Sequence, residues 1–143
     1  MEKFYVPYET ALRLKEKGFD EDTIYPYVVK SKSIDFNRDD LRDGSELWLD
    51  YNHKGKVDVR GEVMCAPTYD QVEDWFLEKH NIDFEIDLFF SQHPSHHEGK
   101  WHYEGYDAII WKNKEVLKDL SANTFTDKRN ALRFAFEEAL KLV

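Results

Sequence analysis

From Phe84 to Phe90 apolar residues stand at every second position, with Asp83, Glu85, Asp87 and Phe89 on the alternate ones. That period of two is the mark of a strand with one face buried and one face wet. Just upstream the period lengthens, and Val72, Trp75 and Phe76 fall three and four apart, the spacing that lines one side of a helix. The helix carries its own boundaries. Thr68 and Gln71 form a capping-box pair behind Pro67, Asp70 lies in the first turn, Lys79 and His80 lie near the last, and Asn81 can adopt the left-handed conformation that ends it. A helix therefore passes directly into a strand.

The same reading extends along the chain. Tyr8, Ala11, Leu12 and Leu14 give an apolar side to a helix over about 7–17, which Gly18 stops while Phe19 contacts Leu14. Ile24 to Val29 reads as a short strand, and Pro26 predicts an edge or a bulge for it. Residues 31–45 are polar and charged, a surface loop or insertion. Leu47, Leu49 and Tyr51 alternate, and a turn at Asn52–Gly55 leads to Val57 and Val59, so a hairpin is expected there. A second hairpin joins the strand ending near Phe90 to one over about 101–111. Its apolar parity shifts at Gly105, from Trp101 and Tyr103 to Tyr106, Ala108 and Ile110, which predicts a β-bulge. Thr126 is placed to cap a last helix whose stripe is Leu132, Ala135, Phe136, Ala139, Leu140 and Val143. Val6-Pro7-Tyr8-Glu9 and Ala66-Pro67-Thr68-Tyr69-Asp70 echo one another as helix openings. The expected fold is a single α+β domain over 1–143: a mainly antiparallel sheet of about five strands with about three helices on one side.

Composition narrows the function classes. The 143 residues fit one domain, and 15% aromatic residues supply core volume despite 34% charged ones. The net charge of −9 argues against sequence-independent nucleic-acid binding, because phosphates are met by Lys and Arg. No apolar run is long enough for a membrane span, and Cys65 is the only cysteine, so a reducing cytoplasm is the expected compartment. Val63-Met64-Cys65-Ala66 reads as an apolar strand end, which makes Cys65 buried and inert.

His93, His96, His97 and His102, with Glu98 among them, are the candidate ligands for zinc or another transition metal. Pro94, Ser95 and Gly99 place most of them in a connecting loop without the spacing of a helical metal site, so solvated histidines explain them as well. Asp50 to Asp58 begins like a calcium loop, but Lys54 and Gly61 occupy positions that need oxygen ligands. Asp83, Glu85 and Asp87 share a strand face and could meet His102 or Glu104 as an acid–base pair, although strand alternation already accounts for them. Nucleophile-elbow, phosphate-loop, dinucleotide and paired C-x-x-C motifs are absent from the sequence. Trp48, Phe89, Trp101, Tyr106 and Trp111 are candidates for an exposed aromatic sheet face, and such residues enrich protein interfaces.

Leu14 to Asp20, Ala66 to Phe76 and Ala131 to Leu142 together resemble small uncharacterised proteins of Bacteroides-type gut bacteria and their phages or prophages. The resemblance implies a bacterial or phage cytoplasmic origin and brings no catalytic residue with it. The expectation is a non-enzymatic binding or accessory protein acting through a protein partner or self-association, without nucleic acid, membrane or cofactor. The alternative is a metal-dependent enzyme built on the histidine loop.

Overall fold

Leu14, Gly18 and Phe19 close the first helix by hydrogen bonds that their order predicts. The Phe19 N–H donates to Leu14 O at 2.9 Å and the Gly18 N–H to Lys15 O at 3.1 Å, with Gly18 at φ 89°. This is a Schellman stop, and its glycine takes a conformation that a side chain would resist. The computed structural model describes residues 2–36, 57–58, 61–92 and 101–143, with side chains for 2–36, 62–88 and 105–143. The chain divides into two compact units, Met1–Trp75 and Phe76–Val143.

In the first unit a 3₁₀ turn at Glu2–Phe4 precedes α1 (Tyr8–Glu16), β1 (Pro26–Val28), β2 (Ser33–Ile34), β3 (Val57–Asp58) and β4 (Gly61–Cys65), and α2 (Tyr69–His80) begins there. The strands form an antiparallel sheet of order β2-β1-β4-β3, with α1 packed on β4. Val63, Met64, Cys65 and Ala66 are all buried, because β4 is covered on both faces. Cys65 is buried, as expected, and its thiol donates to Glu21 O at 3.4 Å. Phe19 packs against Trp75 with ring centroids 5.7 Å apart. The two echoed helix openings pair with one another: Tyr5 bridges Thr68, and the Val6 N–H donates to Pro67 O at 3.0 Å. The phenol of Tyr27 then donates to Val6 O at 2.6 Å.

The start of α2 is the capping box read from the sequence. The Gln71 N–H donates to Thr68 Oγ1 at 3.3 Å, and the Thr68 N–H donates to Gln71 Oε1 at 3.0 Å. Asn81 ends the helix at φ 55°.

The second unit holds β5 (Ile82–Gln92), β6 (Trp101–Lys112), β7 (Glu115–Asp119) and α3 (Lys128–Ala139). Its sheet is antiparallel with order β5-β6-β7, and α3 lies across β5 and β6. Phe76, Phe84 and Phe136 form an aromatic cluster with centroid separations of 5.2, 5.9 and 5.0 Å. All three are buried, and each contributes roughly 1.5–3 kcal/mol of burial. The expected bulge at Gly105 is present. Phe89 pairs with Gly105 and Phe90 with Tyr103, so Glu104 is the extra residue that shifts the parity.

Several expectations need correction. The α+β class holds, but the described residues contain seven strands in two sheets, with α1 packed on β4 of one and α3 on β5 and β6 of the other. β2 occupies part of the expected loop at 31–45, and residues 37–45 lie outside the described residues. Pro26 does not confine β1 to an edge. It stands at the first position, where its O accepts from the Asp35 N–H at 2.9 Å, so its missing N–H falls on the β2 side and leaves the ladder to β4 intact. Leu47 to Tyr51 also lie outside the described residues, and β3 pairs forward with β4. Burial along β5 fades after Phe84: Ile86 is half-buried and Leu88 is 49% exposed. The cap of α3 is Asp127, whose carboxylate accepts from the Asn130 N–H at 2.9 Å, and not Thr126.

Candidate interaction face

The pleat of the second sheet sorts its residues into two faces. Ile82, Phe84, Ala108 and Ile110 are buried on one side, where α3 lies. Their strand neighbours must point the other way. The register places Asp83 opposite Trp111, Glu85 opposite Ile109 and Asp87 opposite Asp107. On the far side of β6, Ile109 pairs with Asp119 and Trp111 with Val116, with Leu117 as a second bulge residue. The outer face is thus a strip of Ile109, Trp111 and Val116 framed by five carboxylates. Ile109 and Trp111 are half-buried, Val116 is 51% exposed, and all the acids except half-buried Asp107 are exposed.

The electrostatics of this face are lopsided. Asp107 has its carboxyl pushed above the ordinary range by desolvation first, and then by the charges of Asp87 and Asp119. Like charges directly opposite on neighbouring strands repel. Asp119 is held below its usual value by the hydroxyl and the N–H of Ser121. Glu85 accepts a hydrogen bond from the Trp111 indole N–H at 2.7 Å, which fixes that ring against β5. On the covered side the balance is different: Glu138 of α3 is buried, paired with Lys118 and Lys141, and kept ionised by both.

At the end of the sheet the outer face runs into a groove of ≈ 590 Å³. Leu77 and Trp111 give it an apolar side, Asp83 and Glu85 an acidic one, and Asn81, Asn113 and Lys114 its rim. Asn81 and Asn113 are joined through their side-chain amides, and the Asn113 N–H donates to Asn81 O at 3.3 Å. Both asparagines have positive φ, 55° and 53°, so the helix end and the β6–β7 turn are locked to one another.

Of the residues singled out in the sequence, His93, His96, His97 and Trp48 lie outside the described residues. His102 is placed on β6 opposite Ser91. That is four positions beyond Asp87, about 14 Å along the strand, while Glu104 is the bulge residue just beyond Phe89; the side chains of His102 and Glu104, and so their expected meeting with Asp83, Glu85 and Asp87, lie outside the described ones. The acids face Asp107, Ile109 and Trp111. Among the described residues no group of three or more His, Cys, Asp or Glu is arranged to hold a metal ion. Phe89 and Trp101 are placed in the ladder by their backbones alone, while Tyr106 is half-buried at a register position facing Leu88. Trp111 is on the outer face. Asp107, Asp119 and Val116 were missed by sequence reasoning. The parity shift at Gly105 could have supplied Asp107, since it defines Tyr106, Ala108 and Ile110 as the apolar side.

No helix among the described residues is long and apolar enough to cross a membrane. Comparison with known protein families, curated proteins and solved structures finds no match.

Proposed function

We propose that this protein is a non-enzymatic binding protein that docks a basic protein segment on the outer face of the β5–β6–β7 sheet. The observation that carries the reading is the partly exposed strip of Ile109, Trp111 and Val116 inside a frame of five carboxylates. An apolar centre with a polar rim is the anatomy of a protein interface. The rim sets the sign of the partner. Asp107 is raised by desolvation first and then by Asp87 and Asp119, and a cationic partner relieves the repulsive share of that shift. Self-association through this face is the weaker option, because a two-fold contact would lay the same carboxylates against each other.

The test is affinity capture from the native host with three baits: the wild type, Val116→Asp, and the double variant Asp83→Lys with Asp87→Lys. We expect a protein retained by the wild type and lost from both variants, whose dichroism spectra stay unchanged, and whose contact segment is rich in Arg and Lys. Retention of the same proteins by all three baits, or retention of none, would overturn the reading.

A further inference from the structure

We infer that the groove at the end of this sheet is the anchor site for one arginine side chain of the docked segment; this rests on the reading above and names its central contact. The groove has the size of ordinary ligand sites, ≈ 590 Å³ against roughly 300–1,000 Å³. Its chemistry is that of a guanidinium receptor. One wall is the half-buried Trp111 with Leu77, which is 48% exposed although it is a large apolar residue. The other wall carries Asp83 and Glu85.

Each carboxylate is oriented through one oxygen and keeps the other for a ligand. Glu85 Oε2 takes the Trp111 indole N–H at 2.7 Å, and Asp83 Oδ1 takes the Phe84 N–H at 2.8 Å. With its N–H engaged, what the indole can offer a ligand is its ring face. A guanidinium uses such a pair of walls well, since it stacks on aromatic rings and donates in a planar fork, whereas an ammonium is a more strongly hydrated point charge. Lys114 on the rim leaves the lining one negative charge in excess, which suits a single cation. The Asn81–Asn113 lock holds the two walls before any ligand arrives, so little ordering remains to oppose binding. Asp83, Glu85 and Trp111 belong both to the groove and to the outer face, so a side chain seated here comes from a segment lying on that face.

The experiment is a titration of ¹⁵N-labelled protein with the capped tripeptide acetyl-Gly-Arg-Gly-amide, and with its lysine and citrulline counterparts, followed on the Trp111 indole N–H resonance assigned by Trp111→Phe. A single side chain should bind with a dissociation constant on the order of 1 mM. We expect a saturable shift with arginine, at least threefold weaker binding with lysine and none with citrulline. Glu85→Gln and Asp83→Asn should each weaken arginine binding about tenfold with the rest of the spectrum intact, as befits loss of a charge-assisted hydrogen bond. Glu16→Gln, an exposed acid of α1 that does not line the groove, should leave binding within twofold. Equal shifts with citrulline, no saturation by 20 mM, or indifference to both carboxylate variants would overturn the assignment. If those results came together with partner capture that Val116→Asp abolishes, the face would stand and the anchor alone would fall. Saturable arginine binding without any captured partner would instead overturn the segment as occupant and leave a receptor for free guanidinium compounds.

Discussion

Tyr27 shows how much one polar atom can report about a core. Its phenol is buried and donates to Val6 O, and burial, with Glu2 and Tyr69 nearby, pushes its pKa up to about 12. An unfolded tyrosine titrates near 10, so the contribution of this group is complete below about pH 10 and declines as pH rises towards 12. Denaturant unfolding at pH 9 and pH 11 should show that fall, and Tyr27→Phe should flatten it while costing about 1 kcal/mol at pH 7. Gly105 is the opposite case, a residue defined by what it lacks. It sits at φ 147°, and a Cβ there would stand 2.5 Å from Phe125 O and 2.6 Å from Thr124 Cγ2. The Tyr106–Phe125 bridge, two backbone bonds of 2.8 Å, cannot yield without being lost. We expect Gly105→Ala to lower stability by roughly 2–4 kcal/mol, read as a fall in thermal midpoint. The sequence pointed to Gly105 through its parity shift, but the contact that forbids a side chain comes from a residue twenty positions on, which no local pattern reveals.

Among the elements, those bounded by short-range chemistry were legible and those defined by partners were not. The cap of α2, the stop of α1 and the bulge in β6 are each written within about six residues, and all three form. β7 was invisible for a physical reason. Glu115 to Asp119 is exposed throughout and has no alternation, and its turn is Asn113-Lys114 rather than the Asn-Gly that marks a hairpin. Both turn residues nevertheless take positive φ, 53° and 67°, as a primed turn demands. Lys114 therefore carries left-handed strain that glycine would not feel. We expect Lys114→Gly to raise stability by about 0.5–1 kcal/mol in denaturant unfolding, and a loss would show that the side chain supports the hairpin in some other way. The interaction face was half legible for the same reason: Trp111 and the acids of β5 stand out singly, yet which of them meet depends on Glu104 dropping out of register.

At the scale of the whole molecule, charge is the term that a change of solvent can move. With a net charge of −9 and Asp87 opposite Asp107, the folded state concentrates repulsion that the unfolded chain disperses. Asp107 has a raised pKa, so its share of stability is present below the unfolded value near 3.9 and is lost as pH rises through the folded one. At neutral pH the protein carries that deficit. Asp107→Asn should accordingly raise the thermal midpoint at pH 7 and have little effect at pH 3. The gain that the wild type makes between low salt and 0.5 M salt should also shrink in this variant, since screening relieves the same repulsion. An equal effect at both pH values would mean that the change acts through packing rather than charge.

The bridge between Tyr5–Val6 and Pro67–Thr68 has a consequence for the living chain. On the ribosome α1 is made some sixty residues before the strand contact that braces it, and a helix of nine residues is marginal in water. At synthesis rates of roughly 5–20 residues per second it waits about 3–12 s for that partner to be made. The β5–β6 hairpin needs no such delay, because its arms follow one another closely. α1, made before the strands of its unit, is thus secured only after β4 and the turn into α2 have followed, and nascent-chain handling in the interval falls on it.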